Sequence, residues 1–148
     1  MLGIDTNLLF YSLNPESGFH ARAERFLKAS FSDVGETVVI SDYVLVELYQ
    51  LLRNEVVMAE PLSAGEAVGV VRSYLKIPNV SRAENARVMD RVWEFASRDG
   101  FARRRLFDMR LGLTLRHHGV TRFATANVKD FEGMGFSRVW NPLDTEDC

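Results

Sequence analysis

The sequence predicts an α/β fold in which a parallel central sheet of four to five strands is flanked by helices. Short apolar or β-branched runs alternate along the chain with amphipathic segments of helical period, and cap or turn residues separate them. Strands that alternate with helices pair in parallel, because each helix carries the chain back across the sheet. The 148 residues, without a linker or an internal repeat, are expected to form one domain spanning residues 1–148.

Two strands and two helices are predicted in the first part of the chain. Residues 1–5 form a short apolar run that ends in a turn-forming Asp-Thr-Asn, and residues 37–40 are mostly β-branched. Residues 20–31 place alanine, leucine and phenylalanine on one helical face, and the helix that begins at Ser41 has a stripe of valine and leucine. Residues 54–62 show no period and contain a proline, which predicts a loop.

Three helices and two strands are predicted in the second part. Residues 63–66 and 81–84 both have the Ser-x-x-Glu spacing of a capping box, so each is expected to start a helix, the second ending at Gly100. A further helix is expected from about residue 107 to residue 118, and Gly119 ends it. The remaining strands are short and comprise residues 122–125 and 139–140.

Composition excludes several classes of protein. With 47% hydrophobic and 26% charged residues, the chain has enough apolar side chains for a core and is neither disordered nor fibrous. No apolar run approaches the ~20 residues of a membrane span, and the N-terminus lacks the pattern of a signal peptide. The one cysteine, Cys148, leaves no partner for an intrachain disulfide. We therefore expect a cytoplasmic protein with no membrane contact.

The net charge of −2 conceals a basic segment. Residues 98–122 contain seven arginines against Asp99 and Asp108, which gives a local charge of +5 and leaves −7 for the rest of the chain. Such an asymmetry suits an acidic pocket with a phosphate-binding rim. An ordinary network of ion pairs explains the same composition.

Four acidic residues stand beside or inside apolar segments, where a carboxylate is costly unless something neutralises it. They are Asp5, Glu47, Asp108 and Asp130. Carboxylates that converge in one fold require a cation, and a set of oxygen ligands suits Mg²⁺ or Mn²⁺. Hydrolysis of a phosphodiester bond is the predicted use of such a site.

Each acid also has a structural explanation. Asp5 fits a helix N-cap, Asp108 fits a first-turn acid or an ion-pair partner of the nearby arginines, and Asp130 and Asn127 fit turn positions. Glu47 is harder to explain in this way, because its neighbours at helical spacing are apolar. The joint occurrence of the acids, rather than any single one, favours a metal site.

Four segments in a fixed order carry a resemblance to a known family. They are residues 3–9 (Gly-Ile-Asp-Thr-Asn-Leu-Leu), residues 44–48 (Val-Leu-Val-Glu-Leu), Asp108 at the start of a helix that ends in His-Gly-Val, and residues 125–131 (Thr-Ala-Asn-Val-Lys-Asp-Phe). On these motifs the chain resembles the PIN domain and, within it, the VapC-type toxin ribonucleases of prokaryotic toxin–antitoxin modules. The resemblance covers nearly the whole length and implies a PIN-like parallel sheet between helices.

The resemblance also implies roles for individual residues. Asp5, Glu47 and Asp108 match the three core acidic positions, which are catalytic and bind the metal. The fourth acidic position is variable in the family. The first residue that could match it here is the neutral Asn127, so Asp130 is expected to complete the set. The residues expected to support the cluster are Thr6, Asn7, Thr125 and Asn127.

By this resemblance, the chain is expected to be an Mg²⁺- or Mn²⁺-dependent endoribonuclease, the toxin of a VapBC-type system. Its expected partners are RNA, a VapB-like antitoxin that docks near residues 54–62 and the helix after Ser63, and a second copy in a homodimer. Arg103, Arg104 and Arg105 are candidates for holding RNA phosphates, unless they pair with Asp108 instead.

Two other functions stay open at this point. The main alternative is a PIN-like RNA-binding or scaffolding module with weak catalysis, which the neutral Asn127 would suit. A haloacid-dehalogenase-like phosphatase also has an acid after its first strand, but it needs a second aspartate where this chain has Asn7.

Overall fold

The computed structural model describes residues 1–144 and places a five-stranded sheet, parallel throughout, at the centre of the fold. The predicted α/β fold is thereby confirmed, whereas the prediction about Cys148 lies outside the described residues. No helix within residues 1–144 is long and apolar enough to cross a membrane. In chain order the elements are β1 (Leu2–Ile4), α1 (Thr6–Leu13), α2 (His20–Ser32), β2 (Val38–Ser41), α3 (Asp42–Leu52), α4 (Ala64–Leu75), β3 (Val80–Ala83), α5 (Met89–Ala96), α6 (Arg105–His117), β4 (Arg122–Ala124), α7 (Val128–Phe131) and β5 (Arg138–Trp140).

The core surrounds the central strands of the sheet. Every residue of β1 and β2 is buried, and α1 and α3 pack leucines that are at most 1% exposed into the same cluster. Full burial of such a side chain contributes roughly 1.5–3 kcal/mol, so this cluster is the main source of stability. A smaller apolar cluster lies between α5 and α6 and consists of Val88, Val92, Met109 and Leu113.

The strand order β3-β2-β1-β4-β5 places a topological switch at the centre of the sheet. The chain winds from β1 to β2 and β3 on one side, and then crosses to β4 and β5 on the other. In open α/β sheets the ligand crevice lies at such a switch, beyond the carboxyl ends of the strands. Because Ile4 pairs with Ala124, the next two residues, Asp5 and Thr125, emerge side by side at this point.

Close packing beneath the switch requires a glycine. A Cβ at Gly3 would lie 2.9 Å from the ring of Phe123 and 3.0 Å from the side chain of Val120. Both neighbours are fully buried, so neither moves aside without disturbing the core. Gly3, the first residue of the N-terminal motif, therefore allows β1 to approach β4 and the turn before it.

The prediction of a helix that starts at Ser81 is wrong, because this residue lies in β3. The helix α5 begins only at Met89, and it ends at Ala96, before the predicted end at Gly100. Residues 80–83 instead pair with β2 and satisfy backbone groups that would otherwise be left unpaired on its edge. The Ser-x-x-Glu spacing alone does not reveal that competition, since it is a local signal.

Other local predictions are confirmed. Both hydrogen bonds of the capping box at Ser63 are present, so α4 begins where predicted. Gly119 follows α6 with a φ of +83°, the left-handed conformation typical of a helix stop. Two helices were given no bounds from the sequence, α1 with 8 residues and α7 with 4. Asp5 is the N-cap of α1, as one explanation of that residue held, but no helical period marked the extent of either helix.

Candidate active site

An open pocket of about 910 Å³ lies at the switch point of the sheet. Three separate elements bring acids to it: Asp5 follows β1, Asp42 and Glu47 belong to α3, and Asp108 belongs to α6. The fold therefore brings together the three acids that the sequence motifs singled out. Thr6, Asn7 and Asn127 lie in the same lining.

Asp5 is the buried member of the acidic set, with 6% of its surface exposed. Its carboxylate caps α1: Oδ1 accepts the Thr6 backbone N–H at 2.8 Å. Oδ2 accepts the Thr125 hydroxyl at 2.6 Å and the Asn7 amide at 3.1 Å. The N-cap explanation and the active-site explanation of Asp5 are thus both true of the same side chain.

The pKa of Asp5 is raised from 3.8 to about 6. Burial is the main cause, and the negative charges of Glu47 and Asp108 add to it. The hydrogen bonds from Thr125 and Thr6 act in the opposite direction, because they stabilise the ionised form. Near neutral pH this carboxylate therefore ionises at a cost that an added positive charge would relieve.

Glu47 occupies a more open position than its apolar neighbours. Val44 and Leu48 are buried in the core, whereas Glu47 is exposed on the pocket side of α3. The Thr6 hydroxyl donates a hydrogen bond to its carboxylate at 3.0 Å. Thr6 thus holds the second acid in place through its hydroxyl, while its backbone N–H donates to the first acid, Asp5. The sequence argument from burial does not hold for Glu47 itself, although its position in the pocket agrees with the motif.

Asp108 lies in the first turn of α6 and is half-buried. Burial raises its pKa, the charges of Asp130 and Glu47 raise it further, and Arg105 lowers it. The influence of Asp130 shows that α7 brings this fourth acid near Asp108. Of the two candidates for the fourth position, however, Asn127 lines the pocket and Asp130 does not.

Thr125 and Asn7 connect the strand ends beneath the pocket. Asn7 accepts the Ala126 backbone N–H at 3.2 Å, and the Thr125 hydroxyl accepts the Asn127 backbone N–H at 2.9 Å. Because that hydroxyl also donates to Asp5, one buried oxygen fixes both the acid and the loop after β4. Two segments 120 residues apart are joined in this way.

The arginines of the basic segment do not form one rim. Arg104 lines the acidic pocket, Arg105 lines a second pocket, and Arg103 is exposed in the turn before α6. Arg116 and Arg122 have structural contacts, with the Val120 carbonyl and the Glu36 carboxylate respectively. The basic segment is therefore divided among several parts of the fold.

Two pairs that involve pocket-lining residues were missed by the sequence reasoning. The Arg110 guanidinium lies over the Tyr43 ring, 3.7 Å from its centroid. Asp42 forms a two-pronged ion pair with Arg82, at 2.6 Å and 3.1 Å. Neither pair has a local signal, because each joins residues that are far apart in sequence. The ion pair neutralises Asp42, which leaves Asp5, Glu47 and Asp108 as the pocket acids without such a partner in residues 1–144.

The donor set fits a hard divalent cation. It consists of carboxylates supported by hydroxyl and amide groups, and within residues 1–144 no lysine or arginine forms a salt bridge with Asp5, Glu47 or Asp108. In the described part of the chain, the acids line the pocket without three of them closing on a common point. A cation would thus be held through modest side-chain adjustment and water, which Mg²⁺ commonly retains in protein sites.

Comparison with protein families gives a match over most of the chain. A family model described as the PIN domain matches residues 3–136. The chain is also 47% identical over 148 residues to Ribonuclease VapC24 of Mycobacterium tuberculosis, a match that covers 99% of each chain.

Solved structures with the same fold are more distant in sequence. Mycobacterium tuberculosis VapC20, described as a Sarcin-Ricin loop cleaving toxin, superposes with a TM-score of 0.65 at 19% identity, covering 92% of this chain and 96% of that one. FitAcB from Neisseria gonorrhoeae superposes with a TM-score of 0.60 at 20% identity, covering 96% of this chain and 98% of that one. These two similarities establish the fold.

Proposed function

The chain belongs to the PIN domain family and, within it, to the VapC-type ribonucleases, and from this premise we propose that its acidic pocket hydrolyses RNA phosphodiester bonds with Mg²⁺ or Mn²⁺. One observation carries the proposal: Asp5, Glu47 and Asp108 line a single pocket at the switch point of the sheet. The pKa of Asp5 is raised mainly by burial, and the negative charges of Glu47 and Asp108 raise it further. A divalent cation bound by the three acids would neutralise their negative charge.

The protein side chains do the positioning in this proposal. Asp5, held on both oxygens by hydrogen bonds, is the fixed ligand. Its Oδ2 already accepts two hydrogen bonds, whereas Oδ1 accepts one and retains a lone pair for a cation. Glu47 and Asp108 complete the core set from α3 and α6. We assign Asp130 a weaker role, through its charge next to Asp108, and Asn127 a neutral position in the lining.

The chemistry that a bound Mg²⁺ or Mn²⁺ supplies in such a pocket is activation of water and stabilisation of negative charge on the phosphoryl group. Arg104, which lies in the same lining, is placed to attract an RNA phosphate towards the acids. Without the cation, the same carboxylates would repel that phosphate. Binding of substrate and binding of metal are therefore expected to be mutually dependent.

Substitution of the acids tests this function. We expect Asp5→Asn and Glu47→Gln to lower Mg²⁺-dependent cleavage of RNA by at least about a hundredfold, since loss of even an outer partner of a metal ligand typically costs 10–100-fold. Cleavage is measured on single-stranded RNA with purified protein, with and without a chelator.

The matched control for Glu47→Gln is Glu24→Gln. Glu24 is exposed on α2 and lines neither pocket, so its loss removes the same charge without touching the site. Undiminished cleavage by folded Asp5→Asn protein, or full activity in excess chelator, would refute the assignment.

The same proposal includes two protein partners. We propose that the chain is the toxin of a toxin–antitoxin pair and that a VapB-like antitoxin docks along residues 54–62 and α4, where Val56 and Val57 are 86% and 40% exposed. We also propose a homodimer. Mass measurement of the toxin alone, and after co-expression with the gene product encoded beside it, tests both associations.

A further inference from the structure

A second pocket, of about 600 Å³, lies on another face of α6. Arg105, Met109 and Leu113 line it, and their spacing of four residues places them on one side of the helix. Asp108 and its neighbours lie on the adjoining side of α6 and line the acidic pocket. Arg104 lines the first pocket and Arg105 the second, so the two pockets meet at the first turn of α6.

This second pocket, here called the arginine pocket, receives three arginines, Arg91 from α5, Arg98 from the segment after α5, and Arg105 from α6. The acids in its lining are Asp99 and Glu132, which leaves an excess of positive charge. The lining is thus opposite in sign to the pocket beside it.

The guanidinium groups of the arginine pocket have few ionic partners within residues 1–144, although the charge of Arg105 acts on Asp108. Within residues 1–144, Arg91 and Arg105 form no salt bridge, and the buried Nε of Arg105 has no hydrogen-bond partner. Arg98 has only a loose contact with Glu94, at 3.7 Å between exposed side chains, which contributes little. Arg91 and Arg98 are exposed and no strong ion pair within residues 1–144 holds them, so their guanidinium groups can bind an acceptor from outside the chain.

The shape of the pocket also suits a nucleic acid. The Arg98 guanidinium lies over the Phe95 ring, 4.3 Å from its centroid, and Phe101 lies in the same lining. Guanidinium and aromatic groups placed together are typical of grooves that hold single-stranded nucleic acid, because they offer both charge and a stacking surface.

We propose that the arginine pocket binds backbone phosphates of the RNA strand that is cut in the acidic pocket, on one side of the scissile bond. The strand passes from one pocket to the other over the first turn of α6, between Arg104 and Arg105. This inference rests on the proposed function, since it takes RNA as the substrate. The net positive lining beside the acidic pocket would then attract the phosphates that the carboxylates repel.

Binding without metal isolates the arginine pocket, because the ionised acids then repel RNA. The probe is a fluorescein-labelled oligouridine of about twelve nucleotides, within the usual footprint of a single-strand binding site, measured by anisotropy in excess chelator. We expect the double variant Arg91→Gln, Arg98→Gln to bind on the order of tenfold more weakly. The slope of log K against log salt is expected to become shallower by about 1.4, or about 0.7 for each lost phosphate contact.

The matched control is Arg25→Gln, which removes a charge from the exposed face of α2, away from both pockets. Arg91 and Arg98 are themselves exposed, so their amide variants are expected to keep the wild-type melting temperature. Unchanged RNA affinity of the folded double variant, or an equal loss in Arg25→Gln, would overturn the proposal.

Cleavage provides a second, length-dependent measurement. The ratio of kcat/KM for the long oligouridine to that for a trinucleotide, which is too short to reach both pockets, should fall on the order of tenfold in the double variant. An equal loss on both substrates would overturn the proposal, since it would indicate an effect on the acidic pocket. Absence of any cleavage by wild-type protein would instead refute the proposed function. The metal-free binding comparison would still test whether the arginine pocket binds RNA.

Discussion

At the scale of single residues, the buried carboxylate of Asp5 makes stability depend on pH. Its pKa is about 6 in the folded protein against an ordinary value of 3.8, so the folded state holds the proton more tightly than the unfolded state. The stabilisation is therefore complete below about pH 4 and is lost as the pH rises through 6. The difference of about two pKa units corresponds to roughly 3 kcal/mol.

We expect the free energy of unfolding of metal-free wild type, relative to Asp5→Asn, to fall by roughly 3 kcal/mol between about pH 3.5 and pH 7.5. Urea unfolding in the presence of a chelator, repeated across this range, measures the difference. The Asn variant removes the titrating group at the same volume and so serves as its own reference. Parallel curves for the two proteins would show that Asp5 does not titrate in this range.

Thr125 is the residue that makes ionised Asp5 tolerable. Replacing it with Val removes the 2.6 Å hydrogen bond and leaves the Asn127 backbone N–H without its acceptor. We expect a loss of about 2 kcal/mol at pH 8, where Asp5 is charged, because hydrogen bonds to charged groups contribute about 1.5–3 kcal/mol. The acidic limb of the pH–activity profile should also move to higher pH.

Thr125→Ser provides the contrast, because it keeps the hydroxyl and loses only a methyl group. Stability and the pH–activity profile, measured on both variants, separate the two contributions. If Val behaved like wild type and Ser did not, the methyl group, which valine keeps, rather than the hydrogen bond would be what matters at this position.

At the scale of elements, two identical sequence signals have different outcomes. Ser63 caps α4, whereas Ser81 lies within β3. We expect Ser63→Ala to lower the free energy of unfolding by about 1 kcal/mol, the usual cost of a lost N-cap. Ser81→Ala should change it by less than about 0.5 kcal/mol, as is typical of an exposed position. Equal effects in chemical denaturation would contradict the strand assignment.

The fold could be predicted from the sequence where a pattern was long and local. The apolar stripe of α3, the capping box of α4 and the glycine after α6 each depend on neighbours within a few residues, and all three are confirmed. β3 depends on a partner strand some 40 residues away, so no local pattern reveals it. Neither α1 nor α7 has a helical period that the sequence displays. Asp5 caps α1, and packing stabilises both helices.

In the site, too, residues in local motifs could be predicted and tertiary contacts could not. The three acids of the pocket were identified from their motifs, because the position of Asp5 after β1 and of Glu47 within α3 follows from local sequence. Contacts that depend on the tertiary arrangement, such as Arg82 with Asp42, could not be foreseen. Whether Asp130 or Asn127 completes the site stays a prediction.

At the scale of the whole molecule, metal binding should stabilise the fold, since a cation bound only by the folded state adds RT ln(1 + [L]/Kd). At one hundred times Kd this is about 2.7 kcal/mol, or roughly 5–10 °C in Tm for a chain of this size. We expect Mn²⁺ to raise the Tm of wild type by this amount and that of Asp5→Asn by much less.

This measurement also separates the ribonuclease from a non-catalytic scaffold. A PIN-like module that binds RNA or protein without metal would show no shift in Tm at millimolar Mn²⁺. A shift in wild type that persists undiminished in Asp5→Asn would mean that the cation binds elsewhere.

The hydrogen bond between Asp5 and Thr125 has a consequence for the order of events during synthesis. β1 is synthesised well before its second neighbour in the sheet, β4, which follows it by about 120 residues. Contacts of such long sequence separation form slowly, because the loop between them must close first. A nascent or truncated chain that lacks residues 122–125 has no Thr125 hydroxyl to hold the Asp5 carboxylate. The acidic pocket is therefore completed only after β4 has paired with β1.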